Sequence, residues 1–384
     1  MNFEFATSAR IIFGPGSLAQ AAPLARSLGR HALLVVGQSP ARASQLQADL
    51  LASGVSVTLF SVPGEPDIAL AEQGAEVARR AGCDLLIGFG GGSALDEAKA
   101  IAALAANPGG ALDYLEVIGR AQPLEHAPLP IIAIPTTAGT GSEVTRNAVL
   151  SSPEKRVKAS LRHALMLPRA AIVDPLLTHS LSPEVSASTG LDALTQLIEP
   201  YLSNAANPIS DAICLEGLAR AARSLRRVCQ DGSDATARED MALASLLGGM
   251  ALANARLGAV HGFAGPMGGM FPAAHGQLCA RLLPGVMRAN LRAMQERQPT
   301  SASLERFTRV ASLLTGRPNA SAADGIDWLE ETASLLGIPS LSAHGIQPAD
   351  LPEIIRQARA ASSMKSNPVV LSDEELDAIL REAL

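Results

Sequence analysis

The strongest constraint on this chain is an alternation in its first half. Short apolar runs, ALLVVG at 32–37, VSVTLF at 55–60, DLLIGFG at 84–90, PIIAIP at 130–135 and AAIVD at 170–174, are interleaved with helix-like stretches such as 68–82 and 94–106. A strand that is apolar at every position is buried on both faces, which a parallel sheet covered by helices on each side provides. After LSPEVSAST the β-like runs stop, and helical patterns occupy 188–203, 208–228, 236–257 and 303–316. The reading is an α/β doubly wound domain over residues 1–182 followed by an all-α domain over 183–384. A chain of 384 residues exceeds the size that one core normally serves, so two domains are natural. The segment NPGGALDYLEV at 107–117 reads as a connecting loop.

Bulk chemistry excludes several classes. Apolar residues make up 47% against 18% charged, which fits a packed enzyme and not a disordered chain. A net charge of -6 argues against nucleic acid and against an anionic membrane surface as partners. Cys83, Cys214, Cys229 and Cys279 lie far apart, without the paired spacing of a disulfide framework or zinc knuckle. MNFEFATSARIIFGPG lacks the basic start and apolar core of a signal peptide. The most apolar region, Met241 to Val260, is broken by Asn254 and Arg256 and reads as a buried helix, not a membrane span. The expected location is the cytoplasm.

Two turns carry the chemistry of the first half. DLLIGFGGGSALDEAKAIA places Gly90, Gly91 and Gly92 between a strand and a helix, where the backbone can turn sharply and approach a ligand. Ser93 and Asp96 have capping-box spacing, which would fix the helix start and present its N–H groups to a pyrophosphate. IPTTAGTGSEVT at 134–145 repeats the logic, with a second helix expected near Thr140 or Ser142. Two such turns at the carboxyl ends of strands in one sheet point to a dinucleotide across the sheet edge. At the end of the first strand stands Gly37, followed by Gln38, Ser39 and Arg42. No carboxylate is there to repel a 2′-phosphate, so NADP(H) should be accepted at least as well as NAD(H).

The helical half offers oxygen and nitrogen donors for a divalent cation. Asp192 and Gln196 sit at i and i+4 on one helix face, and His261 and His275 are fourteen residues apart, the second in the loop-like GPMGGMFPAAHG. Cys279, four residues past His275, offers itself as a fifth donor, but it reads as a buried structural cysteine. Glu199 lies two helical turns, about 10 Å, from Asp192 and would not share its ion. His31, His126, His163, His179 and His344 read as ordinary core or surface residues.

In this order, FGPGSL at 13–18, GGGSALDEAK, PTTAGTGSEVT, EKRVK ending at Lys158, TGLDAL and the His261-to-His275 spacing through PAAHG resemble the iron-containing (group III) alcohol dehydrogenases. The resemblance implies a Rossmann-like N-terminal domain and a helical C-terminal domain, the dehydroquinate-synthase-like fold, commonly as a homodimer. By the same transfer Gly91, Gly92 and Ser93 contact the cofactor phosphates; Asp96, from its capping-box spacing and with a structural role as the alternative, and Gly37, at the adenosine end, are counted with the cofactor site. Thr136, Thr137 and Thr140 line the nicotinamide half, and Lys158 reaches the ribose. Asp192, Gln196, His261 and His275 take the metal-ligand positions for Fe²⁺ or Zn²⁺, and Asp192, His261 and His275 form the catalytic centre.

The implied reaction moves a hydride between NAD(P)(H) and a small primary or secondary alcohol or its carbonyl compound, aldehyde or ketone, in a cleft between the domains. Two departures stand out. Members usually carry histidine where this chain has Gln196, and often another where it has Gly265. Alternative readings are a maleylacetate-reductase-like enzyme, a sugar-phosphate cyclase related to dehydroquinate synthase, and a nucleotide-binding relative with weak or no catalysis.

Overall fold

A computed structural model describes residues 2–384, which form two compact units. The first comprises residues 7–137 and 141–178, and the second comprises residues up to Ala6, 138–140 and 179–384.

The α/β unit contains strands β1 (Ile11–Phe13), β2 (His31–Val36), β3 (Ser56–Ser61), β4 (Leu85–Gly90), β5 (Ile131–Pro135), β6 (Asn147–Ser152), β7 (Val157–Arg162) and β8 (Ala170–Val173). Its helices are α1 (Ala21–Leu28), α2 (Ser44–Ala52), α3 (Ile68–Ala81), α4 (Gly92–Ala106) and α5 (Ala111–Tyr114). Six strands make one parallel sheet in the order β1-β8-β5-β4-β2-β3. Strand β4 is buried at every residue and β2 at all but His31, as strands covered on both faces must be. The chain runs outward from β2 to β3 and in the opposite direction from β4 to β5, so the order reverses between β2 and β4. Ligands of doubly wound sheets bind at that reversal.

Local chemistry sets the helix ends. The carboxylate of Asp67 accepts the Leu70 N–H at the start of α3, and Gly82 ends that helix at φ +67°. The segment expected to be a loop at 107–117 contains the single turn α5. The remaining strands, β6 and β7, form a separate antiparallel hairpin, which the apolar patterning does not announce.

The second unit is helical: α6 (Pro183–Leu202), α7 (Pro208–Gln230), α8 (Ala235–Ala255), α9 (Ala259–Met270), α10 (His275–Arg297), α11 (Ser303–Thr315), α12 (Ala322–Leu335), α13 (Leu351–Ala360) and α14 (Asp373–Ala383). Helix α6 starts at Pro183, five residues before the start expected from its apolar pattern. Ser182 caps it by accepting the Val185 N–H, and Pro183 occupies a first-turn position whose missing N–H costs nothing. Its core is built on α6 through Leu191, Leu194, Leu197 and Ile198, which pack with Leu218, Leu225, Phe263 and Leu282 from α7, α9 and α10. Among the described residues no single helix is long and apolar enough to cross a membrane.

Candidate functional site

In the α/β unit the glycine turn lies at the reversal of strand order. A Cβ on Gly90 would lie 2.6 Å from the Ala94 Cβ and 3.3 Å from the Gly37 nitrogen, so only glycine lets the ends of β2 and β4 come this close. Gly91 is the cap residue of α4 and contributes no side-chain cap, and Gly92 and Ser93 are the first helical residues. The first-turn N–H groups of α4 therefore have no partner within the helix. A Cβ on Gly37 would meet nothing within 4 Å. Thr136 is buried and donates its N–H to the Gly90 carbonyl at 2.9 Å, while Thr137 stands beside Gly91.

Two expectations are corrected here. Ser93 and Asp96 form no capping box, because the helix begins one residue earlier, with Gly91 as its cap. The Asp96 carboxylate instead accepts from Ser142 Oγ and from the Val149 N–H (3.0 Å), and pairs with Lys99 at 3.0 Å. Buried Lys99 in turn donates to Ser142 O, Thr145 Oγ1 and Asn147 O. The pair fastens β6 to α4. The helix expected near Thr140 or Ser142 is only a single 3-10 turn: Gly141 adopts φ +60°, the turn spans Ser142–Val144, and Thr145 turns extended into β6. Lys158, on β7, pairs with Glu65 at 3.0 Å. Thr140 falls in the helical unit.

Within the helical unit Asp192, Gln196, His261 and His275 come together. Asp192 and Gln196 face the same way from α6, one turn apart, and Gln196 Nε2 donates to Asp192 Oδ2 at 3.0 Å. From Asp192 Oδ1 it is 3.4 Å to His261 Nε2 and 3.9 Å to His275 Nε2. The two imidazole centres are 5.3 Å apart. His275 is not in a loop: it is the first residue of α10, and that helix approaches α6 so closely that a Cβ on Gly276 would fall 2.3 Å from the Ser188 carbonyl oxygen. Its neighbour one turn on, Cys279, presents Sγ 3.6 Å from His275 Nε2 and 3.8 Å from His261 Nε2. Donor atoms of Asp192, His261, His275 and Cys279 all lie within 4.8 Å of one another.

Whether these residues suit a cation is decided by atoms left over. Asp192 Oδ1 and Gln196 Oε1 are both buried without a hydrogen-bond donor. Two stranded acceptor oxygens beside two imidazole nitrogens are costly unless something positive sits among them. Carboxylate, amide oxygen and imidazole form a donor set for a divalent transition metal, and a thiolate would add a softer ligand.

The electrostatics agree. Burial alone would push Asp192 up, but the neighbouring His261 and His275 outweigh it and hold the carboxyl below its ordinary range. Burial pushes the Cys279 thiol up to about 12. Burial opposes the imidazolium of His261, while the Glu199 carboxylate and the contact with Asp192 favour it.

Sequence reasoning weighed two of these residues and set them aside. Cys279 shares a helix face with His275, a relation visible only once α10 is known to start there. Glu199 does lie too far along α6 to join Asp192 on one ion, but it reaches the far nitrogen of His261, with Oε2 2.6 Å from Nδ1.

Both parts of the chain match a known family. The model of the iron-containing alcohol dehydrogenases matches residues 8–175, and that of the family's C-terminal region matches 186–384. The chain is 36% identical to the 1,3-propanediol dehydrogenase of Klebsiella pneumoniae, over 97% of this chain and 96% of that one. The crystal structure of a 1,3-propanediol oxidoreductase is similar with a TM-score of 0.90 and 34% identity, covering both chains completely. The sulfoacetaldehyde reductase of Bifidobacterium kashiwanohense, solved with NAD⁺, has a TM-score of 0.86 and 27% identity over 100% of this chain and 99% of that one. Both halves of the chain, the parallel sheet and the helical bundle with its Asp–His–His cluster, thus belong to the iron-containing alcohol dehydrogenase family, and the protein is an alcohol dehydrogenase and aldehyde reductase of that type.

Proposed function

We propose that the chain interconverts a small primary alcohol and its aldehyde, using NAD(P)(H) and one divalent cation held by Asp192, Gln196, His261 and His275, with Cys279 at its edge. The observation that carries this reading is the pair of buried, donorless oxygens, Asp192 Oδ1 and Gln196 Oε1, beside the two histidines. When bound, the cation supplies positive charge beside the reacting oxygen, and the nicotinamide supplies the two-electron acceptor or donor. Asp192 contributes the anionic ligand and, held ionised, keeps its place across the neutral pH range. Gln196 contributes a neutral oxygen in place of the imidazole usual in relatives, which weakens the grip on Fe²⁺ or Zn²⁺.

In the α/β unit Gly91, Gly92 and Ser93 offer first-turn N–H groups and the positive end of α4 to the pyrophosphate. With no carboxylate at Gly37, both NADP(H) and NAD(H) are accommodated. A small substrate is supported by the similarity to a 1,3-propanediol dehydrogenase. Gly265 brings no titratable side chain where relatives often carry histidine, so water or a cofactor hydroxyl moves the proton. The test is a panel of short aldehydes assayed with NADPH and NADH after chelator treatment and after adding back Zn²⁺ or Fe²⁺. Activity should fall with the chelator, return with metal and fail to return in Asp192→Ala. Full turnover in protein shown by elemental analysis to be metal-free overturns the metal, and no turnover across the panel overturns the reaction.

A further inference from the structure

The far side of His261 is held by an arrangement of its own. Both carboxylate oxygens of Glu199 are used: Oε2 lies 2.6 Å from His261 Nδ1, and Oε1 accepts the Val260 N–H at 2.7 Å. The preceding N–H, of Ala259, is accepted by Asn367 Oδ1 at 3.1 Å. Asn367 is fixed through Asn290, whose Oδ1 accepts from Asn367 Nδ2 at 2.6 Å. Two orphan N–H groups of the first turn of α9 are therefore satisfied from α6 and from Asn367, and the Glu199 carboxylate sits at the positive end of α9. The fit is close: a Cβ on Gly258 would fall 2.8 Å from Glu199 Oε1 and 3.1 Å from Asn367 Oδ1. Glu199 is 6% exposed, and its Oε2 is available only as an acceptor when ionised.

We infer that Glu199 is a positioning residue that fixes the ring orientation and tautomer of His261: its Oε2 accepts a hydrogen bond from Nδ1–H, which leaves an unprotonated Nε2 turned toward Asp192 and the cation. The inference rests on the metal reading above. Carboxylates behind a histidine ligand raise its basicity as well as orienting it. A purely structural Glu199, present only to cap α9, would need just the Val260 bond.

Glu199→Gln separates the two roles. The amide oxygen of glutamine can still accept the Val260 N–H. Its NH₂ group, now facing Nδ1, donates, so the imidazole proton moves to Nε2 and obstructs the ligand position. The metal-free proteins are titrated with Zn²⁺ against a competing chelator. The variant's Kd should rise by about tenfold to a hundredfold, while metal-free Glu199→Gln unfolds at the wild-type temperature, and Glu199→Asp, which keeps the charge, should bind more tightly than Glu199→Gln. A loss smaller than about tenfold overturns the inference.

A second measurement does not depend on a variant of Glu199 folding. In Zn²⁺-loaded wild type labelled with ¹⁵N-histidine, a far-downfield Nδ1–H resonance should appear that is missing from His261→Asn. Metal on Nδ1, or no such proton, overturns the inference. Wild-type protein that takes up no Zn²⁺ overturns the metal reading and this inference with it. Equal uptake by wild type and Glu199→Gln overturns the positioning role alone.

Discussion

Replacing Glu97 by glutamine should change how the stability of the α/β unit depends on pH. Glu97 lies on α4, fully buried, and neither of its carboxyl oxygens has a hydrogen-bond partner. Burial first, then the nearby charges of Asp67 and Asp96, push it from an ordinary 4.5 up to about 8. Below pH 4.5 the folded and unfolded chains are both protonated there, and the group contributes no pH dependence. Between 4.5 and about 8 the unfolded chain has released a proton that the folded one still holds, so rising pH favours unfolding by about 1.4 kcal/mol per pH unit. Above 8 the loss is complete and constant. Glutamine has nearly the same shape and no charge to give up, so Glu97→Gln should gain on wild type by about that increment for each unit from pH 6 to pH 8. Glu143, pushed by burial up to about 7, is present in both proteins and cancels in the difference. Urea unfolding followed by circular dichroism at pH 6, 7, 8 and 9 provides the comparison. Fluorescence of the single tryptophan, Trp328 on α12, reports the helical unit and should move little. Parallel pH curves for the two proteins would show that Glu97 is ionised when folded and refute the argument.

Restoring imidazole by Gln196→His should tighten Zn²⁺ binding by about tenfold or more, read by chelator competition, because a neutral amide oxygen is the weakest donor of the set. Gly276→Ala must push α10 away from the Ser188 carbonyl and carry His275 with it, so Zn²⁺ affinity should fall while the overall helix content seen by circular dichroism is kept. Gly37→Asp has open space for its side chain and should shift the ratio of kcat/KM for NADPH over NADH downward by about tenfold or more, since a like charge beside a 2′-phosphate costs at least about 1.4 kcal/mol; an unchanged ratio would place the discriminating group elsewhere.

The sheet was legible because four of its strands, β2, β4, β5 and β8, are almost wholly apolar, while β3, at the sheet edge, mixes Ser56, Thr58 and Ser61 with Val57, Leu59 and Phe60; the observed strands agree with the five runs to within about a residue at each end. The hairpin β6–β7 was not: its burial alternates and its strands carry Asn147, Lys158 and Arg162, so no continuous apolar run marks it. Capping-box spacing misled at Ser93 because glycine at the cap moves the helix start, after which Asp96 points to Ser142 and Val149 instead. In the helical unit, the four ligand positions came from resemblance, since a fourteen-residue gap between histidines carries no geometry of its own. Cys279 and Glu199 needed coordinates: one depends on where α10 begins, the other on a ring nitrogen that spans the distance the helix rise leaves open.

The chain also crosses its own division early. Ala6 donates its N–H to Asn254 Oδ1 at 2.6 Å and accepts from Asn254 Nδ2 at 2.9 Å, so a segment made at the outset belongs to the helical unit. During synthesis it must wait while roughly two hundred and fifty residues emerge, and the α/β unit closes in the meantime. Splitting the gene at the loop near residue 178 would therefore not yield two clean halves: the C-terminal product would lack the strand of backbone that Asn254 holds, and adding a peptide of residues 2–10 in trans should recover part of its cooperativity.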